Sequence, residues 1–368
     1  MEKKYEIIYK DIFNSIRENT LAPGDRIPTE HEIMAKYGVS RTTARHAVKK
    51  LEQNQLIFRT RKVGSVVTYT EKYKEIKKNT VIALILPDTN TSNMMFAGIQ
   101  DYAIENKCLV SCYDSLNSSK KERELLIKLC DMNMPGLIIW PCSLYSNIDV
   151  YSALLLKGVS LTFIDRGIPG IKGSLVTSDN YQSMYDITSR VIQCGHKKIG
   201  FCAIGNNMLP TEIKRLEGFC AALVDNNINY NYNYVMRYNS DLRHKFTFGP
   251  IENQTETFEA FVAKSLEKYQ SSLDKPTCIC CLNDVIAIRM MMTYRKAGVR
   301  IPEDLSIVGF DNISNAKDNS LTTVQQRFYE LGSDACKSVL NYIRTGEPTK
   351  TYIPADIIMR GSLLDLKK

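Results

Sequence analysis

The sequence predicts two domains of different fold class: an N-terminal winged helix-turn-helix of the α+β class and a larger α/β domain with two lobes on parallel sheets. Three observations indicate this division. The stretch Lys36–Leu51 contains apolar residues at the spacing of an amphipathic helix and carries a basic stripe beside them. Most of the excess positive charge lies in residues 1–78. From Val81 onward, short apolar runs alternate with helical patterns, which is typical of a parallel sheet covered on both faces.

Two helices are predicted ahead of the basic stretch. The first, Tyr5–Asn19, has an apolar stripe with the helical period. Prolines and a glycine interrupt the chain between Leu21 and Pro28. Thr29 then stands where it can cap a second helix, Glu30–Lys36, and a glutamate three residues after the cap completes a capping box.

The third helix is predicted from Ser40, which is a good N-cap, and Gly38 suits a tight turn between the two helices. Its apolar side consists of Ala44, Ala47, Val48 and Leu51. A basic stripe beside that side consists of Arg41, Arg45 and Lys49. This arrangement is a helix-turn-helix, whose second helix enters the major groove by its N-terminal end. The alternative is that the arginines are solvated surface charges.

A β-wing is predicted after the third helix. Leu56–Phe58 and Ser65–Tyr69 are interpreted as its short strands, and Arg59–Gly64, with three basic residues and a glycine, as its tip. Basic side chains at such a tip suit the minor groove of DNA, where the negative potential is strong. Residues 1–69 are therefore predicted to form one domain.

A linker is predicted at residues 70–80, because Thr70–Thr80 is polar and charged and lacks apolar periodicity. The alternative is that this segment extends the first domain as a helix. Residues 1–78 contain 17 Lys and Arg against 10 Asp and Glu, so they carry +7 of the net charge of +8. This concentration of charge indicates a partner that carries phosphates.

Residues 81–368 are predicted to form the second domain. Its predicted strands are Val81–Pro87, Cys108–Asp114, Gly136–Pro141, Val159–Asp165, Lys198–Gly205, Thr277–Leu282 and Ser306–Asp311. Helical patterns separate these strands, and the rhythm restarts at Lys198, which predicts two successive lobes. Ligands of such folds bind between the lobes, at the carboxyl ends of the strands.

Composition argues against several classes of protein. The chain has 368 residues, 44% of them hydrophobic, and no apolar run is long enough to span a bilayer. Its first residues are charged, unlike a signal peptide, so we expect a cytoplasmic protein that does not bind a membrane. We expect the 11 cysteines to be free thiols. Cys278, Cys280 and Cys281 are interpreted as buried apolar side chains, so neither a metal nor a cofactor is predicted.

The stretch Leu21–Ile57 resembles the DNA-binding domain of the GntR family of bacterial repressors. The resemblance rests on the runs Pro23–Pro28 and Val39–Thr43 and on the closing pair Leu56 and Ile57. It implies that contacts to double-stranded operator DNA come from the third helix and the wing. The candidate residues are Arg41, Thr43 and Arg45 in the third helix, Lys62 and Gly64 in the wing, and His31 and Lys4 elsewhere.

Two positions depart from the GntR pattern. His31 stands where the family usually has a DNA-contacting arginine, and Lys62 replaces the first glycine of the usual wing tip. The operator that this chain binds is therefore expected to differ from the common operator of the family. For the lysines, the alternative is simple solvation.

From about Val81 to the end, the chain resembles the sugar-binding effector domain of LacI-type repressors, which is periplasmic-binding-protein-like. The resembling runs include SDNYQSMYDITSRVIQCGHKKIGF, CLNDVIAI and GVRIPEDLSIVGFDN. The resemblance implies ligand contacts from Arg215, Asn283, Asp311 and Gln326, with Phe96, Trp140 and Arg166 as further candidates. Such a set can donate to and accept from the hydroxyls of a polyol, and the aromatic rings can stack on a sugar.

Two of the assignments in this domain have alternatives. Trp140 ends an apolar strand, so the competing interpretation places it in the core. Asp179 and Asp284 are expected to cap helices rather than to bind a ligand.

A GntR-type domain fused to a LacI-type effector domain resembles the repressors of arabinose-utilisation genes. This resemblance implies a homodimer that binds a pseudo-palindromic operator and is released from it by a small sugar, L-arabinose or a related pentose. The alternatives are a co-repressor-dependent regulator or an activator with another small ligand, and an enzyme acting on a sugar or nucleotide. The sequence disfavours the enzyme because it has no phosphate-binding glycine loop and no nucleophile–histidine–acid set.

Overall fold

The computed structural model of the chain describes residues 4–17, 20–22, 24–53, 56–60, 64–67, 80–88, 93–132, 134–204, 208–238 and 255–368. These residues divide into two compact units, one at the N-terminus and one that holds nearly all described residues from Thr80 onward. Most of the predicted linker lies outside the described residues, and its last residue, Thr80, begins a strand.

The N-terminal unit is a winged helix-turn-helix, as predicted. Its elements are α1 (Lys4–Arg17), α2 (Glu30–Tyr37), α3 (Arg41–Gln53), β1 (Ile57–Thr60) and β2 (Gly64–Val67). Thr29 and Glu32 form the predicted capping box at the start of α2. Gly38 ends α2 with φ of +58°, a left-handed conformation that glycine adopts without steric cost. The Ser40 hydroxyl accepts the backbone N–H of Thr43 at 3.3 Å, which confirms it as the cap of α3.

The core of this unit lies between α1, α2, α3 and the wing. The predicted apolar side of α3 is buried, since Ala44, Ala47, Val48 and Leu51 are at most 2% exposed. The strands β1 and β2 form an antiparallel hairpin. The segment that follows α1 also pairs with β2, because the N–H of Ile27 donates to the carbonyl of Ser65 at 3.0 Å. The orientation of α3 is therefore supported by packing on one side and by the wing beyond it.

The larger unit contains a first sheet in the order β13–β7–β6–β5–β3–β4, in which all neighbours are parallel. Its strands are β3 (Thr80–Leu86), β4 (Cys108–Asp114), β5 (Gly136–Ile139), β6 (Ser160–Ile164), β7 (Ser174–Ser178) and β13 (Lys350–Ile353). The helices that alternate with them are α4 (Asn93–Glu105), α5 (Ser119–Asp131) and α6 (Ile148–Leu156). This sheet with its helices is the first lobe.

The second sheet has the order β14–β12–β11–β10–β8–β9 and is parallel except for β14. Its strands are β8 (Ile199–Ile204), β9 (Val235–Tyr238), β10 (Cys278–Cys281), β11 (Ser306–Asp311), β12 (Thr322–Gln325) and β14 (Asp356–Ile358). The helices of this part of the chain are α7 (Asn180–Gln193), α8 (Pro210–Asp225), α9 (Thr255–Ser271), α10 (Asp284–Lys296), α11 (Ser314–Asp318) and α12 (Phe328–Thr345). We call this sheet with α7–α11 the second lobe.

The lobes are not strictly successive, which corrects the prediction from the sequence. The chain leaves the first sheet after β7, returns to it as β13, and enters the second sheet again as β14. Helix α12 packs closely on α4 of the first lobe, because a Cβ at Gly332 would lie 2.0 Å from the carbonyl oxygen of Met95. Three crossings therefore join the lobes, and they lie beside the carboxyl ends of β7 and β12.

The predicted apolar strands are confirmed as the core of each lobe. Leu84, Ile85 and Ile138 of the first sheet are 0% exposed. Cys278, Cys280 and Cys281 of β10 are also 0% exposed, which confirms them as buried side chains. Within the described ranges, none of the helices has the length and apolar character to cross a bilayer.

Candidate functional site

The exposed N-terminal turns of α3 hold the predicted DNA-contacting arginines. Arg41 is the first residue of the helix and Arg45 lies one turn later, with side chains 72% and 56% exposed. Both approach Glu30 at the start of α2, at 3.5 and 3.6 Å. Exposed ion pairs of this kind are weak, so they orient the guanidinium groups without preventing them from binding a stronger partner. Thr43 lies between the arginines and hydrogen-bonds Ser40 at 3.0 Å.

The other predicted DNA contacts lie on separate elements of the same unit. His31 is exposed on α2, and Lys4 is exposed at the start of α1. Gly64 begins β2 with φ of +89°, and a Cβ there would lie 3.2 Å from Nε of Arg26. Arg26 is a further basic side chain beside β2 of the wing that sequence reasoning missed. Lys62 lies outside the described residues.

A cluster of polar side chains lies where strands of both sheets end. Parallel strands present their carboxyl ends at one edge of a sheet, which is where α/β folds bind ligands. The cluster contains Asp165 and Arg166 after β6, Ser178 at the end of β7, Asp311 at the end of β11, Gln326 after β12, and Asn180 and Arg215 from α7 and α8. We call this set the cleft cluster. It brings together four of the seven predicted ligand contacts: Arg166, Arg215, Asp311 and Gln326.

Arg215 is the most extensively bound member of the cleft cluster. Its Nε donates to Oδ1 of Asn180 and its Nη1 to the carbonyl of Leu282, both at 2.8 Å. Its Nη2 lies 3.5 Å from Oδ1 of Asp311, and the guanidinium carbon lies 3.7 Å from the centre of the Phe310 ring. The side chain is 7% exposed. These contacts fix the direction of the guanidinium before any ligand arrives.

Asp311 carries the carboxylate that faces Arg215. Its backbone has φ of +117°, a rare conformation for a residue with a side chain, and such strain is concentrated at functional sites. Burial raises the pKa of Asp311 to about 6, and repulsion from Asp165 acts in the same direction, whereas Arg215 and a hydrogen bond from Gln326 oppose the rise. The pKa of the Asp311 carboxyl therefore lies well above its usual range.

Gln326 links the two lobes through its amide. Its Nε2 donates to Oδ1 of Asp311 at 2.7 Å, and its Oε1 accepts the hydroxyl of Ser178 at 2.6 Å. Ser178 ends a strand of the first sheet, whereas Asp311 ends a strand of the second. The side chain of Gln326 therefore connects Asp311 of the second lobe directly to Ser178 of the first lobe, beside the crossing between the lobes.

The first lobe contributes a second arginine–aspartate pair. Nε of Arg166 donates to Oδ2 of Asp165 at 2.8 Å, and both side chains are largely buried. Asp165 has φ of +67°, so it is a second strained aspartate at a strand end. The guanidinium carbon of Arg166 lies 6.0 Å from the centre of the Trp140 ring. Trp140 is 9% exposed, so it packs largely within the protein while lining the same edge as Arg166.

Two predicted ligand contacts are placed less directly. Asn283 caps α10, because its side-chain oxygen accepts the backbone N–H of Ile286 at 3.0 Å. Phe96 is half-buried in the first turn of α4, on the helix that follows β3.

The expected capping roles of two aspartates differ in outcome. Asp179 caps α7 as predicted, accepting the backbone N–H of Gln182 at 3.0 Å. The prediction that Asp284 caps α10 is wrong, since Asn283 takes that position and Asp284 is fully buried below it. Asp284 accepts the hydroxyl of Thr323 at 2.5 Å and the backbone N–H of Ile313 at 3.0 Å. Burial raises its pKa to about 7, with a further contribution from the charge of Asp311.

Sequence reasoning missed several members of the cleft cluster. Asp165 was available from the pattern, because it directly follows a predicted strand. Ser178 and Asn180 lie in a run used only for its resemblance, and no local signal distinguishes them from ordinary strand and helix residues. Phe310 lies within the predicted strand Ser306–Asp311 and is 0% exposed, and its ring also supports Arg215.

Comparison with known proteins agrees with both units. Residues 4–67 match the model of bacterial regulatory proteins of the gntR family, and residues 188–363 match a periplasmic binding protein-like domain. The chain joins a GntR-family domain to a periplasmic binding protein-like domain. The exposed arginines of α3 therefore belong to a DNA-binding domain of a transcription regulator, and the cleft cluster belongs to a periplasmic binding protein-like fold.

Relatives are similar along almost the whole chain. An arabinose metabolism transcriptional repressor of Halalkalibacterium halodurans is 26% identical, covering 100% of this chain and 98% of the relative. A repressor of the same name from Geobacillus stearothermophilus is 26% identical over 98% of this chain and 96% of its own length. The structure of a LacI family transcriptional regulator from Enterococcus faecium with bound ribose has a TM-score of 0.61 at 23% identity, covering 78% of this chain and 99% of that one.

Proposed function

We propose that this protein is a transcriptional repressor of carbohydrate-utilisation genes that a small sugar releases from its operator, with L-arabinose as the favoured sugar. The observation that carries the proposal is the combination of exposed arginines on α3 with an enclosed set of sugar-type donors and acceptors in one chain. Neither feature alone requires a ligand-controlled regulator. Together they supply a DNA-binding surface and a site whose occupancy can change.

The DNA half of the proposal rests on the chemistry of α3. Arg41 and Arg45 each present several donors that match the O6 and N7 acceptors of guanine in the major groove. Thr43, Lys4, His31 and the wing residues Gly64 and Lys62 are proposed as additional contacts to phosphates or bases. We propose a homodimer because one recognition helix per subunit then meets two half-sites related by two-fold symmetry.

The ligand half rests on the cleft cluster. A sugar hydroxyl both donates and accepts, and the cluster offers a guanidinium, a carboxylate and an amide within one network: Arg215, Asp311 and Gln326. Arg166, Asn283, Trp140 and Phe96 are proposed as further contacts around it. Two curated relatives are named as arabinose metabolism repressors, which favours L-arabinose over other small sugars.

Release from DNA requires that the sugar bind two arrangements of the protein with different affinity. A sugar that competes for Asp311 displaces the hydrogen bond from Gln326 to that residue. The amide of Gln326 then reorients, which changes its hydrogen bond with Ser178 beside the crossing between the lobes. A coupling free energy of about 1–3 kcal/mol corresponds to roughly five- to 150-fold regulation. The alternative with the same parts is a co-repressor or activator mechanism, in which the ligand strengthens DNA binding. The matched relatives are named as regulators, so we propose no enzymatic activity.

The test is fluorescence anisotropy of a labelled DNA fragment from upstream of the protein's own gene. The fragment is titrated with protein at one fixed salt concentration, because counterion release makes the affinity depend steeply on salt. L-arabinose, D-ribose, D-xylose and cellobiose are then added separately. Loss of tight binding with a single sugar supports the proposal and identifies the inducer.

Two other results would redirect the proposal. Tight binding that no sugar changes would retain the DNA-binding function and reject the proposed ligands. Tighter binding in the presence of a sugar would reverse the sign of coupling and establish a co-repressor.

A further inference from the structure

The first lobe contains a buried carboxylate that the proposed function does not use. Glu122 lies in the first turn of α5, and its side chain is 0% exposed. A carboxylate in such a position loses its hydration, so it persists only where the protein supplies hydrogen-bond donors. The identity of those donors indicates what Glu122 holds in place.

Three donors reach Glu122 from one side of the lobe. The backbone N–H of Cys142 donates to Oε2 at 2.6 Å. The side-chain amide of Asn147 and the hydroxyl of Tyr151 donate to Oε1 at 2.8 and 2.9 Å. Asn147 immediately precedes α6 and Tyr151 lies within it, whereas Cys142 lies in the loop that follows β5. Glu122 therefore fastens this loop and α6 to α5.

The fastened loop forms part of the cleft wall. It begins with Trp140, whose ring lies 6.0 Å from the guanidinium carbon of Arg166. Arg166 is in turn paired with Asp165, whose charge acts on Asp311 across the cleft. Cys142 lies two residues after Trp140, so the hydrogen bond from its backbone N–H to Glu122 holds the chain close to the indole ring.

We propose that Glu122 is a positioning residue for the ligand cleft, which sets the place of Trp140 by holding the backbone of Cys142. The inference rests on the proposed function, because it assigns a role in ligand binding. A purely structural Glu122 would stabilise the contact between α5 and α6 without affecting the indole ring or the ligand. The two roles therefore differ in what they do to Trp140.

The chain allows a direct measurement, because Trp140 is its single tryptophan. Emission of the full-length protein without ligand, excited at the red edge of the tryptophan band where the 20 tyrosines do not absorb, therefore reports this side chain alone, and so does acrylamide quenching of that emission. The test variant is Glu122→Gln, which keeps the shape but has one oxygen that can accept where the carboxylate has two. The matched control is Glu124→Gln, on the exposed face of the same helix.

In Glu122→Gln we expect shifted Trp140 emission, stronger quenching and about tenfold weaker L-arabinose binding, equivalent to losing one net hydrogen bond. Sugar-free affinity for the operator fragment is expected to stay unchanged, as are all properties of Glu124→Gln. Tyr151→Phe removes one donor and leaves the carboxylate. It is expected to shift the emission in the same direction by less, and it provides the test if Glu122→Gln fails to fold.

Unchanged emission in Glu122→Gln or, if that variant does not fold, in Tyr151→Phe overturns the proposal, even if thermal stability falls, because that result would show a structural role only. An equal shift in Glu124→Gln also overturns it. If no sugar acts on the wild-type protein, the proposed ligand is wrong, and the ligand-free emission still decides whether Glu122 positions Trp140.

Discussion

Replacing Arg215 by alanine is the most informative perturbation of the ligand site. Arg215 lies in the larger unit, makes two 2.8 Å hydrogen bonds and faces Asp311 at 3.5 Å. We predict that Arg215→Ala removes the response to sugar and leaves sugar-free operator binding at its wild-type affinity, because α3 belongs to the other compact unit.

The contacts of Arg215 set the expected loss of sugar affinity and the expected loss of stability. Hydrogen bonds to a charged group contribute about 1.5–3 kcal/mol each, so losing one direct contact to a sugar hydroxyl weakens its binding by about 10- to 150-fold. Breaking a buried ion pair costs about 3–5 kcal/mol. Since Gln326 still donates to Asp311 and the Arg215–Asp311 separation is long, we expect a stability loss of about 3 kcal/mol, at the lower end. The variant therefore remains folded but weakened.

The loss of Arg215 also changes the protonation of Asp311. Burial already raises the pKa of Asp311 to about 6, and Arg215 is the largest influence that lowers it. Without the guanidinium, the pKa of Asp311 rises further, so a larger fraction of the carboxyl is protonated near neutral pH and accepts fewer hydrogen bonds from a sugar. Raising the pH above neutral should then restore part of the sugar affinity in Arg215→Ala and change that of the wild type less, because Arg215 keeps the pKa of Asp311 lower there.

The assays are sugar titration of the DNA complex by anisotropy and urea unfolding of the free protein. Lys214→Ala is the matched control. The side chain of Lys214 is next to Arg215 in the sequence but is 59% exposed, and within the described part of the chain its ion pair is with Glu217. Arg215→Lys keeps the charge without the planar fork and is expected to fall between wild type and Arg215→Ala. A normal sugar response in Arg215→Ala would refute the assignment of the cleft cluster as the ligand site.

Three further predictions concern α3 and the buried acid Asp284. Arg45→Ala should weaken operator binding by about 1–3 kcal/mol and lower its salt dependence, whereas Arg295→Ala, exposed on α10, should not; equal effects would remove Arg45 from the DNA contacts. Leu51→Ala should lower the free energy of unfolding by about 2–5 kcal/mol in urea titrations, because the side chain is fully buried; a wild-type value would contradict its place in the core. Asp284, with its pKa raised to about 7, holds a proton in the folded state that the unfolded carboxyl, at about 3.8, has lost. Stability from this group should therefore rise as the pH falls from about 8 to 6, by at most about 1.4 kcal/mol per pH unit. Asp284→Asn should remove this contribution to the pH dependence of stability. Burial lowers the pKa of His196, so that residue has the opposite pH dependence, and it does so in the wild type and in the variant alike. If the slope of stability against pH is the same in both proteins, the role of Asp284 is refuted.

Local rules accounted well for the N-terminal unit. The capping box of Thr29, the left-handed turn at Gly38 and the cap at Ser40 each depend on residues within three positions of one another, and all are present. The exposed position of Arg41 and Arg45 followed from the same helical period. The start of each wing strand was predicted one residue away from its observed position, since short strands have weaker signals than helices.

The α/β domain was predicted in its alternation but not in its connections. The apolar runs identified the central strands, because such strands are buried on both faces. The strand β13 and the return of the chain to the first sheet had no counterpart in the pattern, since Lys350–Ile353 is short and polar and gains its place only by pairing with β7.

The sequence by itself determined the two fold classes, the helix faces and caps, the buried cysteines of β10 and the basic end of α3. These features depend on side-chain period and on neighbours in the chain, which the sequence contains directly. The tertiary structure decided which side chains meet. The pairing of Arg215 with Asp311, the link from Gln326 to Ser178 and the enclosure of Glu122 join residues from 20 to 148 positions apart. Such contacts arise from the order of strands in each sheet and from the crossings between lobes, which local spacing does not encode.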